Sequence, residues 1–235
     1  MLRTKLFKCF ALLVILFGAL SAYVGIRTIK HRVIAEAQTR VSMDLSSAWS
    51  LLNNKLHELE VILRLAASKE AVVTMCEQKA WSDAEVAGRL ERIRLAFGLD
   101  FLDLIAPDGK VMLRTTAPHA TGDSKLSDPA VAAALHGGQM VAMSLMPQRE
   151  LEQESDGLAD RSLIELEDTP RARLSNRKAE SRGMVMVGAI PVWQGAQVLG
   201  VVYGGVLMNR NHDLVDRICA LAAEYRVVAP APLGR

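Results

Sequence analysis

Three polar side chains stand within or beside apolar stretches, where side chains that bind a ligand are often found. Arg114 ends the run VMLR, and its planar guanidinium can hold a carboxylate through two parallel hydrogen bonds. Tyr203 places a hydroxyl among valines and glycines, and a buried tyrosine needs a hydrogen-bond partner from the protein or a ligand. Arg182 lies where a charged segment meets an apolar run. We therefore select Arg114, Tyr203 and Arg182 as candidate ligand-binding residues.

Two of these residues also have a purely structural interpretation. An unpaired charge is costly to bury, so Arg114 needs either an anionic ligand or an acidic residue of the stretch Glu150–Asp168. In the first case, Arg114→Ala removes the response to ligand from a folded domain. In the second case, the same change unfolds the domain. Arg182 has a similar alternative, a salt bridge to the acidic half of the same segment.

Motifs for catalysis, metals and cofactors are missing from the sequence. The five histidines are scattered without HxxxH spacing, and the three cysteines form no CxxC pair. There is no GxSxG motif, no Walker loop and no dinucleotide fingerprint. His136 precedes two glycines, a position typical of a helix C-cap. We expect no enzymatic activity, metal or cofactor, and the net charge of +2 predicts no nucleic-acid partner.

The elements that must position these residues centre on a predicted hairpin. The apolar runs Met184–Trp193 and Val198–Leu207 flank a short polar link, which is typical of adjacent antiparallel strands. Neither run alternates between apolar and polar residues, so we expect both faces to be covered. Gly204 and Gly205 indicate that other atoms approach this strand closely.

Further strands and short helices complete an α+β pattern. Phe101–Ala106 and Val111–Thr115 are joined by a Pro-Asp-Gly turn and predict a strand pair. Asp128-Pro129 predicts the start of a short helix that ends at Gly137-Gly138, before a strand at Gln139–Leu145. A last helix is predicted from His212 to about Tyr225.

The N-terminal third predicts a membrane anchor followed by helices. Residues 1–8 are basic, and Cys9–Ile26 carries no charge, so we assign a transmembrane helix to residues 9–28 with a cytoplasmic N-terminus. A cleaved signal peptide with a site at Ala19-Leu20-Ser21 is the alternative. An unbroken helical pattern from Ile29 to Met75 predicts a long helix, and a second helix, capped by Ser82 or Asp83, ends near Gly98.

A charged insertion, residues 149–182, interrupts the predicted sheet. Its first half is acidic and its second half is basic. It is either a solvated loop or a lid that folds over one face of the sheet. Four apolar residues give the lid something to bury, namely Leu158, Leu163, Ile164 and Leu166.

The order of these elements resembles the Cache family of extracytoplasmic sensor domains, which have a PAS-like sheet. The stretches that carry the resemblance are FLDLIAPDGKVMLRT (101–115), LSDPAVAAALHGG (126–138), Thr169-Pro170-Arg171-Ala172 within the insertion, and RGMVMVGAIPVWQGAQVLGVVYGGVLMNRN (182–211). The chain looks most like the sensor region of bacterial transmembrane histidine kinases. The resemblance implies an α+β domain at residues 99–211, with residues 212–235 forming a terminal helix and tail.

The resemblance also implies a function. It predicts a ligand-sensing domain on the periplasmic side of the bacterial plasma membrane, with a small molecule, such as a carboxylate, as ligand. The lipid bilayer and a second copy of the chain, paired through the stripe Val41–Ala66, are the other expected partners. No second module, HAMP linker or kinase follows Tyr225, so we expect the input part of a receptor, with kinase activity only if further sequence supplies it. A membrane-anchored dimeric scaffold with an empty sensor-like module is the alternative.

Overall fold

The computed structural model describes residues 2–81, 83–167, 178–212 and 216. The chain divides into two compact units, residues 1–50 with 218–235, and Leu51–Arg217. Within the described residues, no helix contains a stretch long and apolar enough to cross a membrane. The transmembrane helix at residues 9–28 therefore stays a prediction. The predicted helix from His212 to Tyr225 lies almost wholly outside the described residues.

The described elements confirm the α+β class, with helices and an antiparallel sheet. In chain order the helices and strands are α1 (Leu2–Ala67), α2 (Glu70–Gln78), α3 (Ala84–Phe97), β1 (Phe101–Ile105), β2 (Val111–Arg114), α4 (Pro129–Leu135), β3 (Met140–Met146), α5 (Gln148–Glu154), α6 (Leu158–Ser162), β4 (Ile164–Glu165), β5 (Ala179–Glu180), β6 (Gly183–Gln194) and β7 (Gln197–Leu207).

The predicted hairpin is confirmed as β6 and β7, which pair antiparallel from Val185 opposite Leu207 to Gln194 opposite Gln197. The main sheet has the strand order β2-β1-β7-β6-β3, so the hairpin occupies its centre. Two separate hydrophobic clusters pack on its two faces. The first face is covered by the C-terminal part of α1 with α2 and α3. The second is covered by α4, α5 and α6. Cover on both sides explains why neither strand alternates in polarity.

The glycines of the central strands make room for specific neighbours. Gly188 of β6 and Gly204 of β7 lie opposite each other, and Leu63 of α1 rests on both. A Cβ atom at Gly188 would lie 2.6 Å from one Leu63 methyl, and a Cβ at Gly204 would lie 2.9 Å from the other. At Gly205 a Cβ would meet the Phe101 ring and the Met186 carbonyl oxygen, each at 2.7 Å. The close approach predicted at Gly204 and Gly205 is confirmed.

The helix predicted to continue to Met75 instead ends at Ala67, so that part of the prediction was wrong. After a two-residue break, α2 begins at Glu70 and buries Val72, Met75 and Cys76 against the first face. The break changes the direction of the chain and lets these three residues pack in the same cluster as the C-terminal part of α1. Burial raises the pKa of the Cys76 thiol to about 12.

The predicted helix caps are confirmed where the structure describes them. Asp83 accepts hydrogen bonds from the amides of Glu85 and Val86, and α3 ends at Gly98 in the left-handed conformation. Asp128 caps α4 in the same way, with Pro129 at the first helical position. His136 is the C-cap of α4, and its Nδ1 lies 2.8 Å from the carbonyl oxygen of Ala132.

The charged insertion begins as a cover for the second face of the sheet. Leu151 of α5 and Leu158 of α6 are buried in the second cluster. Leu163, Ile164 and Leu166 were expected to be buried too, but they are 38–45% exposed because the chain leaves the sheet after α6 and forms the separate β4–β5 pair. Residues 168–177 lie outside the described residues.

Candidate functional site

Strand register places three polar side chains in one row on the second face of the sheet. Asp103 of β1 lies opposite Arg114 of β2 on one side and opposite Tyr203 of β7 on the other. Their neighbours along β1 on this face, Phe101 and Ile105, belong to the apolar cluster. A row of polar groups therefore crosses an otherwise apolar surface.

Arg114 is buried, and acceptors within the chain satisfy its guanidinium. Nη1 and Nη2 donate to the two carboxylate oxygens of Asp123, at 2.6 and 2.8 Å. Nε donates to Oε2 of Glu154 at 3.0 Å, and Nη1 also donates to the carbonyl oxygen of Ala120. Bidentate pairing with Asp123 uses the fork geometry that the sequence analysis assigned to a ligand carboxylate. The pKa of Asp123 is lowered, first of all by its hydrogen bonds with Arg114.

Glu154 comes from α5, the helix at the start of the charged insertion. Its carboxylate forms ion pairs with Arg114 and with Lys125, which follows β2 in the chain. Burial raises the pKa of Glu154, but the neighbouring Asp103 carboxyl group and the charges of Lys125 and Arg114 outweigh burial and lower the pKa to about 2. Glu154 is thus ionised at neutral pH.

Tyr203 connects the row to α4. Its hydroxyl donates a hydrogen bond of 2.9 Å to Oδ2 of Asp128, whose Oδ1 caps the helix. The Nζ of Lys125 lies 5.6 Å from the centre of the Tyr203 ring, within cation–π range. Burial and the charge of Asp128 raise the pKa of Tyr203 well above its usual value. Its partner is therefore part of the protein, one of the two alternatives that the sequence left open.

Asp103 is the least satisfied member of the site. It is fully buried, and neither carboxyl oxygen meets the geometry of a hydrogen bond to a described residue. The Nε of Arg114 lies 3.6 Å from Oδ2, which is an ion-pair distance rather than a hydrogen bond. Burial, and then the neighbouring Glu154, raise the pKa of Asp103 well above its usual value. The raised pKa means that Asp103 keeps a proton to a higher pH than an exposed aspartate does.

Seven residues form the site, and we call them the polar cluster: Asp103, Arg114, Asp123, Lys125, Asp128, Glu154 and Tyr203. Apart from Asp123 and Asp128, which are partly exposed, these residues are buried. Arg114, Lys125, Glu154 and Asp103 are at most 4% exposed. Desolvated charges at such a site interact strongly, because water screens them little. The cluster combines two cations with a set of carboxylates, so it has the groups needed to recognise a small acid.

Arg182 lies outside the polar cluster. Its guanidinium is about half exposed and forms a two-point ion pair with Glu180, at 2.8 and 2.9 Å. The salt-bridge alternative holds for this residue, although its partner is Glu180 rather than a residue of the acidic half. Of the three selected residues, the fold brings together Arg114 and Tyr203.

Sequence reasoning missed Asp103, Asp123 and Lys125, and it included Glu154 only as one of the acidic residues of Glu150–Asp168 that could pair with Arg114. Asp103 carries a signal, because it is a charged residue at the centre of the apolar run FLDLI. The same criterion that selected Arg114 and Tyr203 selects it. Lys125 and Glu154 lie in charged surroundings and carry no comparable signal, because their burial depends on how the insertion folds.

The raised pKa of Asp103 predicts that the stability of the folded protein depends on pH. Because its pKa is raised in the folded state, folding is favoured below the usual value of 3.8 and loses stability as the pH rises from there to the folded-state pKa. In that window the loss is at most about 1.4 kcal/mol per pH unit. The titratable groups around Asp103 are Arg114, Lys125, Glu154 and Tyr203. They set the folded-state pKa of Asp103, which is the upper end of this pH range.

Asp103→Asn removes the titration and should therefore gain stability relative to the unchanged protein as the pH rises above about 4. Urea unfolding of both proteins between about pH 4 and pH 8 measures this difference. Asp160→Asn, at an exposed position of α6, controls for the loss of one carboxyl group. A difference that stays constant over this range would show that Asp103 is ionised in the folded state.

Comparison with known proteins gives structural neighbours but no sequence relatives. No family model and no curated protein matches the chain. The E. coli DcuS sensor domain is similar over 72% of this chain and 98% of its own, with 15% identity and a TM-score of 0.46. The sensor domain of the V. cholerae histidine kinase DctB is similar over 80% of this chain, with 14% identity and a TM-score of 0.46.

The sensory domain of the C. jejuni chemoreceptor Tlp3, with isoleucine bound, is similar over 74% of this chain, with 13% identity and a TM-score of 0.44. This chain spans 59% of the DctB structure and 60% of the Tlp3 structure. All three neighbours are sensor domains, the class of protein that the sequence resembles. Since these TM-scores lie below 0.5, the function proposed below rests on contacts within this chain.

Proposed function

We propose that this chain is the extracytoplasmic ligand-sensing domain of a signal-transduction receptor of the sensor histidine kinase type. The observation that carries the proposal is the polar cluster, in which Arg114 and Lys125 are buried beneath a helix of the insertion. Perturbed pKa values cluster at functional sites, where buried charges are arranged to meet a substrate or ligand. The ligand is a small carboxylic acid, because a carboxylate complements both cations.

The sheet offers a short path from the polar cluster to the helical layer. Successive residues of a strand point to opposite faces. Tyr203 of β7 points into the polar cluster, and the next residue, Gly204, lies under Leu63 of α1. A shift of β7 on ligand binding therefore changes the contact between Gly204 and Leu63 of α1 directly. We propose this contact as the first step of signal transfer.

Thermal unfolding of the whole chain in the presence of small organic acids and amino acids tests the proposal. A ligand present at about 100 times its dissociation constant stabilises the folded state by roughly 2.7 kcal/mol, which a melting curve resolves easily. A screen in which no acid raises the melting temperature above that of a matched chloride control contradicts the proposal.

We further propose that the uncharged run Cys9–Ile26 anchors the chain in the plasma membrane as part of a transmembrane helix at residues 9–28, with the domain that follows on the periplasmic side. The length of the run supports the anchor. Three basic residues flank it on each side, so the orientation rests on the resemblance to sensor domains rather than on charge. Membrane sedimentation and mass spectrometry of the mature N-terminus test it. Mature protein that begins near Ala22 would show a secreted domain. Cysteine cross-linking at Val41 and Leu45 tests the proposed parallel dimer.

One observation favours the scaffold alternative. Asp123 and Glu154 already accept hydrogen bonds from the guanidinium of Arg114, so the charge of Arg114 is paired without a ligand. A domain of this kind can be stable with an empty sensor module. The thermal screen separates the two functions, because a scaffold shows no stabilisation by acids.

A further inference from the structure

We propose that Glu154 is a built-in competitor of the ligand, and that its carboxylate holds the place on Arg114 and Lys125 that the carboxylate of a small acid takes when α5 is displaced. The inference rests on the proposed function and adds the mode of regulation. The site would be occupied in both states, by Glu154 in one and by the acid in the other.

Glu154 makes the contacts that an acid would make. One oxygen, Oε2, accepts from Arg114 Nε at 3.0 Å, and the other, Oε1, pairs with Lys125 Nζ. Its side chain is fully buried, as a bound ligand's carboxylate would be. Next to it, the Asp103 carboxyl group has no hydrogen bond to a described residue, so the site keeps an unused polar group.

Glu154 also differs from the other carboxylates in the element of secondary structure to which it belongs. Asp103 is fixed in the central part of the sheet, and Asp123 is tied to β2 by a backbone hydrogen bond from Val111. Glu154 is instead the last residue of α5, a helix that buries one other side chain, Leu151. Withdrawal of α5 therefore removes Glu154 and leaves both cations in place.

The two helices of the insertion are held by different contacts, and those of α6 do not involve the polar cluster. α6 is tied to the sheet by Asn209, which donates to the Ser162 carbonyl oxygen at 2.6 Å, and by the ion pair of Arg161 with Asp100 at 2.6 Å. α5 is tied mainly through the polar cluster, by ion pairs of Glu154 with Arg114 and Lys125 and of Glu150 with Lys125. Leu151, a hydrogen bond from the Thr116 hydroxyl to the Glu154 carbonyl oxygen, and one from the Asp156 amide to the Ala117 carbonyl oxygen add to these contacts. A glycine, Gly157, with φ of 73°, separates the two helices.

An open cleft lies beside the residues that follow Arg114 and Glu154 in the chain, and it is the proposed entry for an acid. The cleft has a volume of about 490 Å³ and is lined by residues that adjoin both partners: Thr115, Thr116 and His119 after Arg114, and Ser155 and Asp156 after Glu154. His119 Nδ1 lies 3.0 Å from the Arg114 carbonyl oxygen, so the cleft wall is continuous with the strand that carries Arg114.

The test uses Glu154→Ala in the whole chain, with acetate as the probe. The substitution removes a methylene and a carboxylate, which together correspond to the atoms of acetate. Acetate should therefore stabilise the variant saturably, with a dissociation constant roughly tenfold or more below that of the unchanged protein, which corresponds to about 1.4 kcal/mol. Melting curves in sodium acetate and in sodium chloride of equal concentration measure the effect.

Two matched variants give the test its controls. Glu154→Gln fills the same space with a neutral amide, so acetate should not stabilise it beyond the effect of chloride. Glu152→Ala removes an exposed carboxylate from the same helix and should respond to acetate as the unchanged protein does. If Glu154→Ala does not fold in chloride, the helical signal in circular dichroism should return in acetate.

Each result decides the inference separately from the proposed function. Acetate binding by Glu154→Ala, without binding by Glu154→Gln, supports it. An acid that stabilises the unchanged protein, with no acetate response in Glu154→Ala, overturns the inference but keeps the proposed function. If neither protein responds to any acid, both are wrong. In the unchanged protein, a bound acid should also speed amide hydrogen exchange in α5 relative to α6, and slower exchange in α5 would overturn the displacement.

Discussion

Replacing Arg114 by alanine is expected to lower the free energy of unfolding by about 3–5 kcal/mol, the usual cost of removing one partner from a buried ion pair. The change leaves Asp123 without its bidentate partner and Glu154 with Lys125 as its remaining cation. Arg114→Lys should recover part of the loss, because lysine restores the charge but cannot form the two parallel hydrogen bonds. Urea unfolding followed by circular dichroism measures these values.

A double-mutant cycle with Glu154→Ala isolates the contact across the insertion. The two residues share a hydrogen bond of 3.0 Å, so their effects should be non-additive by about 0.5–3 kcal/mol. Arg182→Ala is the matched control, since its ion pair with Glu180 is exposed, and it should leave the unfolding midpoint unchanged. If Arg114→Ala unfolds at the same urea concentration as the unchanged protein, the polar cluster does not contribute to stability.

Leu63→Ala is expected to cost about 2–5 kcal/mol, the range for truncating a fully buried leucine. Leu63 is 0% exposed and fills the space above Gly188 and Gly204, so its loss leaves a cavity between α1 and the sheet. Leu65→Ala is the control on the same helix, because Leu65 is 42% exposed and should change stability by less than about 0.5 kcal/mol. Equal effects of the two substitutions would contradict this packing.

A size exchange tests the same contact from the sheet. Gly188→Ala alone should destabilise the domain by about 1–3 kcal/mol, because its Cβ would lie 2.6 Å from a Leu63 methyl. In the Leu63→Ala background the same change should cost less, since the methyl group that it meets is gone. The same unfolding measurements on the four proteins give the coupling. Additive effects would show that Leu63 does not rest on Gly188.

Much of the secondary structure could be predicted because its causes are local. Asp83 and Asp128 each stand just before a helix, where a carboxylate satisfies free backbone amides, and glycine follows where a left-handed residue is needed. The central hairpin could be predicted from two apolar runs and a short polar link. The end of α1 at Ala67 could not be predicted, because no helix breaker marks it and the position of the sheet decides it.

The sequence by itself determined that Arg114 needs an anionic partner, because desolvating an unpaired guanidinium is too costly to tolerate. It also determined that Tyr203 needs a hydrogen-bond partner, since its hydroxyl is surrounded by apolar residues. The identity of both partners depended on tertiary structure. Strand register placed Asp103 between the two residues, and the packing of α5 brought Glu154 to Arg114 across 40 positions of sequence. The physical reason is that burial and ion pairing arise from contacts between distant segments, whereas caps and strands arise from neighbours along the chain.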